Sequence, residues 1–463
     1  MKCRMQLIVR NKEFYQKMLS LSLPLAGQQV ITAGVNMMDT IMLGYVSELA
    51  LAAANIGTQV HIMFTFISLG TGTGTSTMVA RYWGAKDMVS LKKASTLALR
   101  FILILGILYT LLVAFFPHAV LRILTNDEVV IAEGIRYLNW SVPCYLLLGI
   151  TTVVTCIIRN IGHIRLPLYT SVGAFFVNVF FNWVFIFGKL GAPAMGISGA
   201  ALGTTISRVF EFAVICGYMF FRDRILAYRI RDLFGKCTDL LREFVKITVP
   251  SIVSDVLLGL GNSLTIAVGG RISQSFMSGI SITSVVQQGI IIFTSAMGQS
   301  SQMIIGNTLG EGKKKEQQVQ AYTFMIIAFG LGVAAGVLIF VFTPLIIAGY
   351  HLSEGTSQVA RQLLYAQAIM AVAMIPASVG GKGILRGGGD TRFLMMADVL
   401  FLWVVSVPLG YLTGVVWGWS PFIVFIFLRI DHLLKTILFL LRIRSGKWVK
   451  RICGANGQAA GAV

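Results

Sequence analysis

One carboxylate sits where carboxylates are rare. Asp39 lies inside an apolar stretch, PLAGQQVITAGVNMMDTIMLG, over residues 24–44. A charge inside a helix that crosses hydrocarbon is costly and marks function by default. A second apolar stretch, SVGAFFVNVFFNWVFIFG, carries Asn178 and Asn182, four apart and so on one helix face. A third, GISGAALGTT, contributes Thr204. One carboxylate, two amides and a hydroxyl are hard oxygen donors. They suit a proton or a small hard cation such as Na⁺, and not zinc, which prefers His and Cys. The same four side chains also suit a buried hydrogen-bond network that only fixes packing.

The second half of the chain carries its own buried-looking acids, Asp255, Asp398 and Asp431, each within an apolar run. Acids so placed can line a transport path and act as counter-ions for a cationic solute, which makes these three candidate substrate-cavity residues. Asp431 and Lys435 are four apart in the acid-first order, so an intrahelical ion pair is the competing reading there. The remaining polar features are weaker. His61 has no metal-binding partner at helical spacing, and the six cysteines show no metal or redox spacing. The GGGD run at residues 387–390 lacks the Gly-Lys-Ser/Thr ending of a phosphate loop and reads as a tight turn. Five scattered histidines do not form the clustered set that a membrane enzyme needs. No catalytic residue, cofactor or enzymatic activity is expected.

The elements that must position these groups are membrane spans. Hydrophobic residues make up 56% of the chain and charged ones only 12%, about half the charge of a soluble protein. The mean hydropathy is +0.78. Twelve apolar segments are expected, roughly at 18–43, 48–78, 95–117, 133–157, 165–187, 196–220, 245–270, 276–305, 318–348, 359–381, 393–416 and 420–442. The net charge of +19 does not point to nucleic acid, because its distribution follows the connections. Even connections are basic: Lys92 and Lys93 in the second, Arg222 to Arg242 in the sixth, Lys313 and Lys315 in the eighth. Odd ones are nearly free of base. By the positive-inside rule both termini are cytoplasmic, in an inner or plasma membrane.

The chain also repeats itself. A shift of 226 or 227 residues places Pro24 on Pro250, Gly44 on Gly270, Gly84 on Gly310, Arg159 on Arg386 and Arg208 on Lys435. Asp39 falls on Thr265, and Asn178 and Asn182 on Val405 and Leu409, so the polar chemistry belongs to one half. Six spans separate the copies, so both have the same orientation, with a cavity expected between them. The expected fold is an all-α integral membrane protein of twelve helices, in two six-helix bundles related by a pseudo-twofold parallel repeat. The expected divisions are an amino-terminal bundle over 1–221 holding the cation site, a linker over 222–244, a carboxyl-terminal bundle over 245–443 and a tail over 444–463.

Several pieces resemble the MATE (multidrug and toxic compound extrusion) transporters of bacterial type. They are VNMMDTIMLGYVSELALAAA, VARYWGAKD, VNVFFNWVFIFG, GISGAALGT and GKGILRGGGDTR, in that order over nearly the whole chain. The resemblance implies alternating-access antiport, with export of amphipathic, often cationic organic compounds in exchange for H⁺ or Na⁺. It implies that Asp39, Asn178, Asn182 and Thr204 bind the coupling cation. The expected partners are small organic solutes and the lipid bilayer, with no nucleic acid, and the protein is expected to act as a monomer. Two departures stand out: Asn182 replaces an aspartate found in some members, and Leu258 replaces a seventh-helix glutamate found in others. A lipid or lipid-linked oligosaccharide flippase of a related fold is the alternative, kept open by Arg208 and Arg429 within spans.

Overall fold

The computed structural model describes residues 7–350, 352–450, 452–453 and 459–460. The chain is helical nearly throughout, apart from a two-residue antiparallel pairing of Ile452–Cys453 with Ala459–Ala460. The helices that matter are α1 (Lys12–Gly44), α2 (Glu48–Gly84), α3 (Met88–Phe115), α4 (Glu128–Asn160), α5 (Arg165–Phe187) and α6 (Ile197–Arg222) in the first half. The second half has α7 (Thr238–Ile272), α8 (Gln274–Gly310), α9 (Lys314–Ala348), α10 (Glu354–Leu385) and α11 (Thr391–Val416). Among the described residues these eleven are long and apolar enough to cross a membrane.

The expected twelfth span, 420–442, is not one helix. It is α12 (Pro421–Leu428) and α13 (Ile430–Arg444), broken at Arg429, whose φ of −121° and ψ of 9° leave the helical well. The reason lies in its side chains. Arg429 turns to give hydrogen bonds to Asn262 and Gln287 (3.1 and 2.9 Å), and Asp431 takes its neighbours on α13 and α11. A second difference is the start of α7, which reaches back to Thr238 inside the expected linker. The linker itself is pinned to α3. Arg100 donates to the carbonyls of Leu233 and Gly235 (2.6 and 2.7 Å), and Lys93 pairs with Asp239 at 2.8 Å.

Prolines shape several helices without ending them. Pro24, Pro143, Pro250, Pro344 and Pro376 all lie within helices. Each removes one backbone donor, which neighbouring groups or a local change of winding must absorb. In α10 and α11 that change is visible as π-helical turns, Val379–Leu385 just after Pro376 and Leu400–Ser406 just before Pro408. Such turns are the usual way a helix accommodates a slip in its ladder.

The chain divides into two compact units. One holds Pro24–Val79 and Asp87–Ile252. The other holds the residues up to Leu23, Ala80–Lys86 and those from Val253 onward. In the first unit α5 and α6 lie side by side and α4 packs on α6. A core of Met42, Leu43, Ala53, Ile186 and Ala200 ties the ends of α1 and α5 to the starts of α2 and α6. In the second unit α10 packs on α8 and α9, with Phe276, Leu363, Phe425 and Leu428 at its core. There the GGGD run forms a turn with Gly389 at φ +76°. The buried Arg81 caps this turn through the Gly387 carbonyl, and Asp390 pairs with Arg442 at 2.8 Å. The run is a structural turn, as its sequence suggests.

Candidate functional site

Three helices of the first unit bring the four sequence-nominated side chains together. Asp39 comes from α1, Asn178 and Asn182 from one face of α5, and Thr204 from α6. The Asn182 amide donates to the Asp39 carboxylate at 2.5 Å and to the Asn178 side-chain oxygen at 3.3 Å. The Asn178 amide donates in turn to the Thr204 hydroxyl at 3.4 Å. Asn178 and Asn182 are buried, and Asp39 and Thr204 half-buried. This relay orients the oxygens. Both donors of the Asn182 amide are turned to acceptors, so its own oxygen faces away. That oxygen is buried and has no hydrogen-bond partner. A buried, unanswered amide oxygen is rare and costs free energy unless something fills the role of donor or cation.

The closeness of α5 and α6 depends on Gly203. A Cβ there would lie 2.2 Å from the Asn182 oxygen and 3.0 Å from its backbone nitrogen. The glycine therefore lets the backbone of α6 press against the amide. One turn beyond Thr204 on α6 is Arg208, which donates to Glu211 at 2.6 Å. Sequence reasoning had noted Arg208 but overlooked Glu211. The signal was its spacing: Thr204, Arg208 and Glu211 recur at four and three residues, along one face of α6. Arg208 is thus paired within α6 by Glu211, while Asp39 is met by an uncharged amide. Carboxylate, amide and hydroxyl oxygens in this arrangement can hold a proton on Asp39 or ligate a small hard cation. Among the described residues no group of His, Cys, Asp and Glu could hold a transition metal.

Two of the three acids of the second unit, Asp398 and Asp431, meet on one lysine, while Asp255 is held separately by an arginine, so each is answered by a base. Asp255 takes two hydrogen bonds from Arg386, both 3.1 Å, with Lys382 at 4.0 Å. Asp398 accepts from Ser254 at 2.5 Å and pairs with Lys435 at 3.1 Å. Asp431 pairs with the same Lys435 at 2.9 Å, the intrahelical pair its spacing suggests. Asp255, Asp398 and Asp431 are all buried.

The repeat places corresponding bonds in both units. Ser254 on Asp398 mirrors Gln28 on Ser171, and Arg386, the counterpart of Arg159, bonds to Asp255, one residue beyond the counterpart of Gln28.

Comparison with known proteins defines the class. One family model, MatE, matches twice in tandem, over residues 24–184 and 250–412. A doubled module of apolar spans is a duplicated multi-pass membrane transporter, not an enzyme. The chain belongs to the MATE family. It is 24% identical to a probable multidrug resistance protein, NorM, of Thermotoga maritima, over 95% of this chain and 94% of the relative. It is 23% identical to an uncharacterized transporter, YisQ, of Bacillus subtilis, over 89% and 90% of the two chains. Among solved structures, a multidrug resistance MATE family transporter in an outward-facing conformation matches with a TM-score of 0.84. That match has 19% identity and covers 93% of this chain and 96% of that one. A transporter from Pyrococcus furiosus, described as having a binding pocket of reversed polarity, matches with the same score and coverage.

Proposed function

We propose that this chain is a secondary-active efflux antiporter of the plasma membrane. It exports amphipathic, often cationic organic solutes in exchange for H⁺ or Na⁺ bound at Asp39. The observation that carries this reading is the convergence of Asn182, Asn178 and Thr204 on a single intramembrane carboxylate. Each monovalent cation moving inward down a potential of 100 mV releases roughly 2.3 kcal/mol, enough to drive a solute outward against a gradient. Binding a cation cancels the charge of the Asp39 carboxylate beside α5 and α6, and this biases the packing of the unit that holds it. Both termini face the cytoplasm, as the basic even-numbered connections require, and the protein works as a monomer. In this reading Asp255, Asp398 and Asp431 serve first as partners of Arg386 and Lys435. They meet a cationic solute only by exchanging those partners.

The test is efflux of a fluorescent lipophilic cation from proteoliposomes, with a pH gradient and a Na⁺ gradient imposed separately. Wild-type efflux should follow one gradient, and Asp39→Asn should abolish it while the protein still folds. Gradient-driven efflux at the wild-type rate in Asp39→Asn would remove the coupling role. The lipid-flippase alternative gains support only if neither gradient drives efflux in folded protein.

A further inference from the structure

Next to the Asp39 relay lies a cavity of about 30 Å³. That is room for about two water molecules. Its polar lining is Thr32 and Asn36 on α1, Ser171 on α5, and Thr204 of the relay with Ser207, Arg208 and Glu211 on α6. Hydroxyls, an amide and an ion pair give any water held there the two to four partners it needs.

The position of the cavity along the helices is informative. Thr32 and Asn36 precede Asp39 on α1. Ser171 precedes Asn178 on α5. Ser207, Arg208 and Glu211 follow Thr204 on α6, which runs the opposite way. All three helices therefore put the cavity on the same side of Asp39, the side toward the amino end of α1. Beyond it the polar trail continues. Ser171 accepts from Gln28 at 3.0 Å, and Gln28 accepts from Arg159 in the last turn of α4. With the amino terminus inside, this trail runs from Asp39 to the cytoplasmic end of the unit.

Glu211 is the group along the trail that can take a proton. It sits about 10 Å along α6 from Thr204 and is held by Arg208. The charged and titratable groups around this pair are Asp39 on α1, His61 on α2 and Cys144 on α4. α5 offers only uncharged polar side chains. The second unit shows what the same position looks like when it has no such task. Lys435, the counterpart of Arg208, is clasped between Asp398 and Asp431, and all three are buried. The counterpart of Glu211 is Leu438.

We infer that this cavity is the inward leg of a proton route, with Glu211 as its relay carboxylate and Arg208 as the residue that positions it. The inference rests on Asp39 being the coupling site. Protonated Asp39 gives its proton to cavity water and returns to the carboxylate. The water passes a proton to the Glu211 carboxylate, which then releases it to water on the cytoplasmic side. No electrons move, and one proton leaves the site for each cycle.

The test compares wild type, Glu211→Gln, Glu211→Asp and Thr32→Val in proteoliposomes loaded with the same fluorescent cation. Efflux is driven by a pH gradient or a Na⁺ gradient, and binding of the cation to purified protein is measured alongside. Glu211→Gln should slow pH-driven efflux by a factor of about 100, the scale of one lost proton-transfer group, with binding unchanged. Glu211→Asp should recover much of the rate. Thr32→Val, which keeps the shape but removes a hydroxyl from the lining, should slow the same step with unaltered binding. Wild-type rates in Glu211→Gln would overturn the inference. So would equal loss of binding and efflux in both Glu211 variants, which would mean Glu211 only supports packing. Wild-type efflux that follows Na⁺ and ignores pH would also overturn it, while leaving Asp39 as the cation site. Efflux at the wild-type rate in Asp39→Asn would instead remove the site reading itself.

Discussion

Adding one methyl group at Gly203 should uncouple the transporter. An alanine Cβ at that position would stand 2.2 Å from the Asn182 side-chain oxygen and 3.0 Å from its backbone nitrogen. Either the amide turns away or α5 and α6 separate by about 1 Å, and overpacking of this kind costs about 1–3 kcal/mol. Turning the amide also takes its hydrogen bond from the Asp39 carboxylate, worth about 1.5–3 kcal/mol for a charged acceptor. That bond stabilises the unprotonated carboxylate, so its loss favours the protonated form; since about 1.4 kcal/mol is a factor of ten, affinity of the site for a proton should rise between about ten- and a hundredfold. Gly217, on the same helix, is the matched control, because a Cβ there meets nothing within 4 Å. The assay is gradient-driven efflux against ion concentration, with melting in detergent alongside. Gly203→Ala should shift the proton dependence to lower proton concentration and melt lower, and Gly217→Ala should do neither. Wild-type ion dependence in Gly203→Ala would refute the claim that the Asn182 contact sets the site.

Two further predictions concern the second unit. Trp448 is fully buried, with its ring against Gly388 and its indole N–H on Gln318 at 3.1 Å. Trp448→Ala should destabilise by about 3–5 kcal/mol, and an unchanged melting temperature in detergent would show that the segment after α13 is not docked. Asp255→Leu or Arg386→Met alone should cost about 3–5 kcal/mol by stranding a buried charge. Asp255→Leu combined with Arg386→Met should melt closer to wild type than either single change, and additive losses would show that the pair is not energetically coupled.

The class and the spans were legible because lipid imposes a strict rule. Every backbone polar group in hydrocarbon must be satisfied locally, so spans become long apolar helices that stand out in composition. The repeat was legible because landmarks such as Pro24 and Pro250 hold fixed structural positions. What escaped was local chemistry that depends on contacts across helices. Nothing in the run PFIVFIFLRIDHLLK announces that Arg429 will leave the helix to reach Asn262 and Gln287, because those partners lie more than a hundred residues away in the chain. Glu211 was overlooked for the opposite reason. Beside Arg208 it reads as a self-contained helical ion pair, and only the folded chain shows that it lines one cavity with Thr32, Asn36 and Ser171. Asn182 shows the middle case. Its spacing from Asn178 nominated it, but the direction of its amide, and so the oxygen left open, followed only from where Asp39 and Gly203 met it.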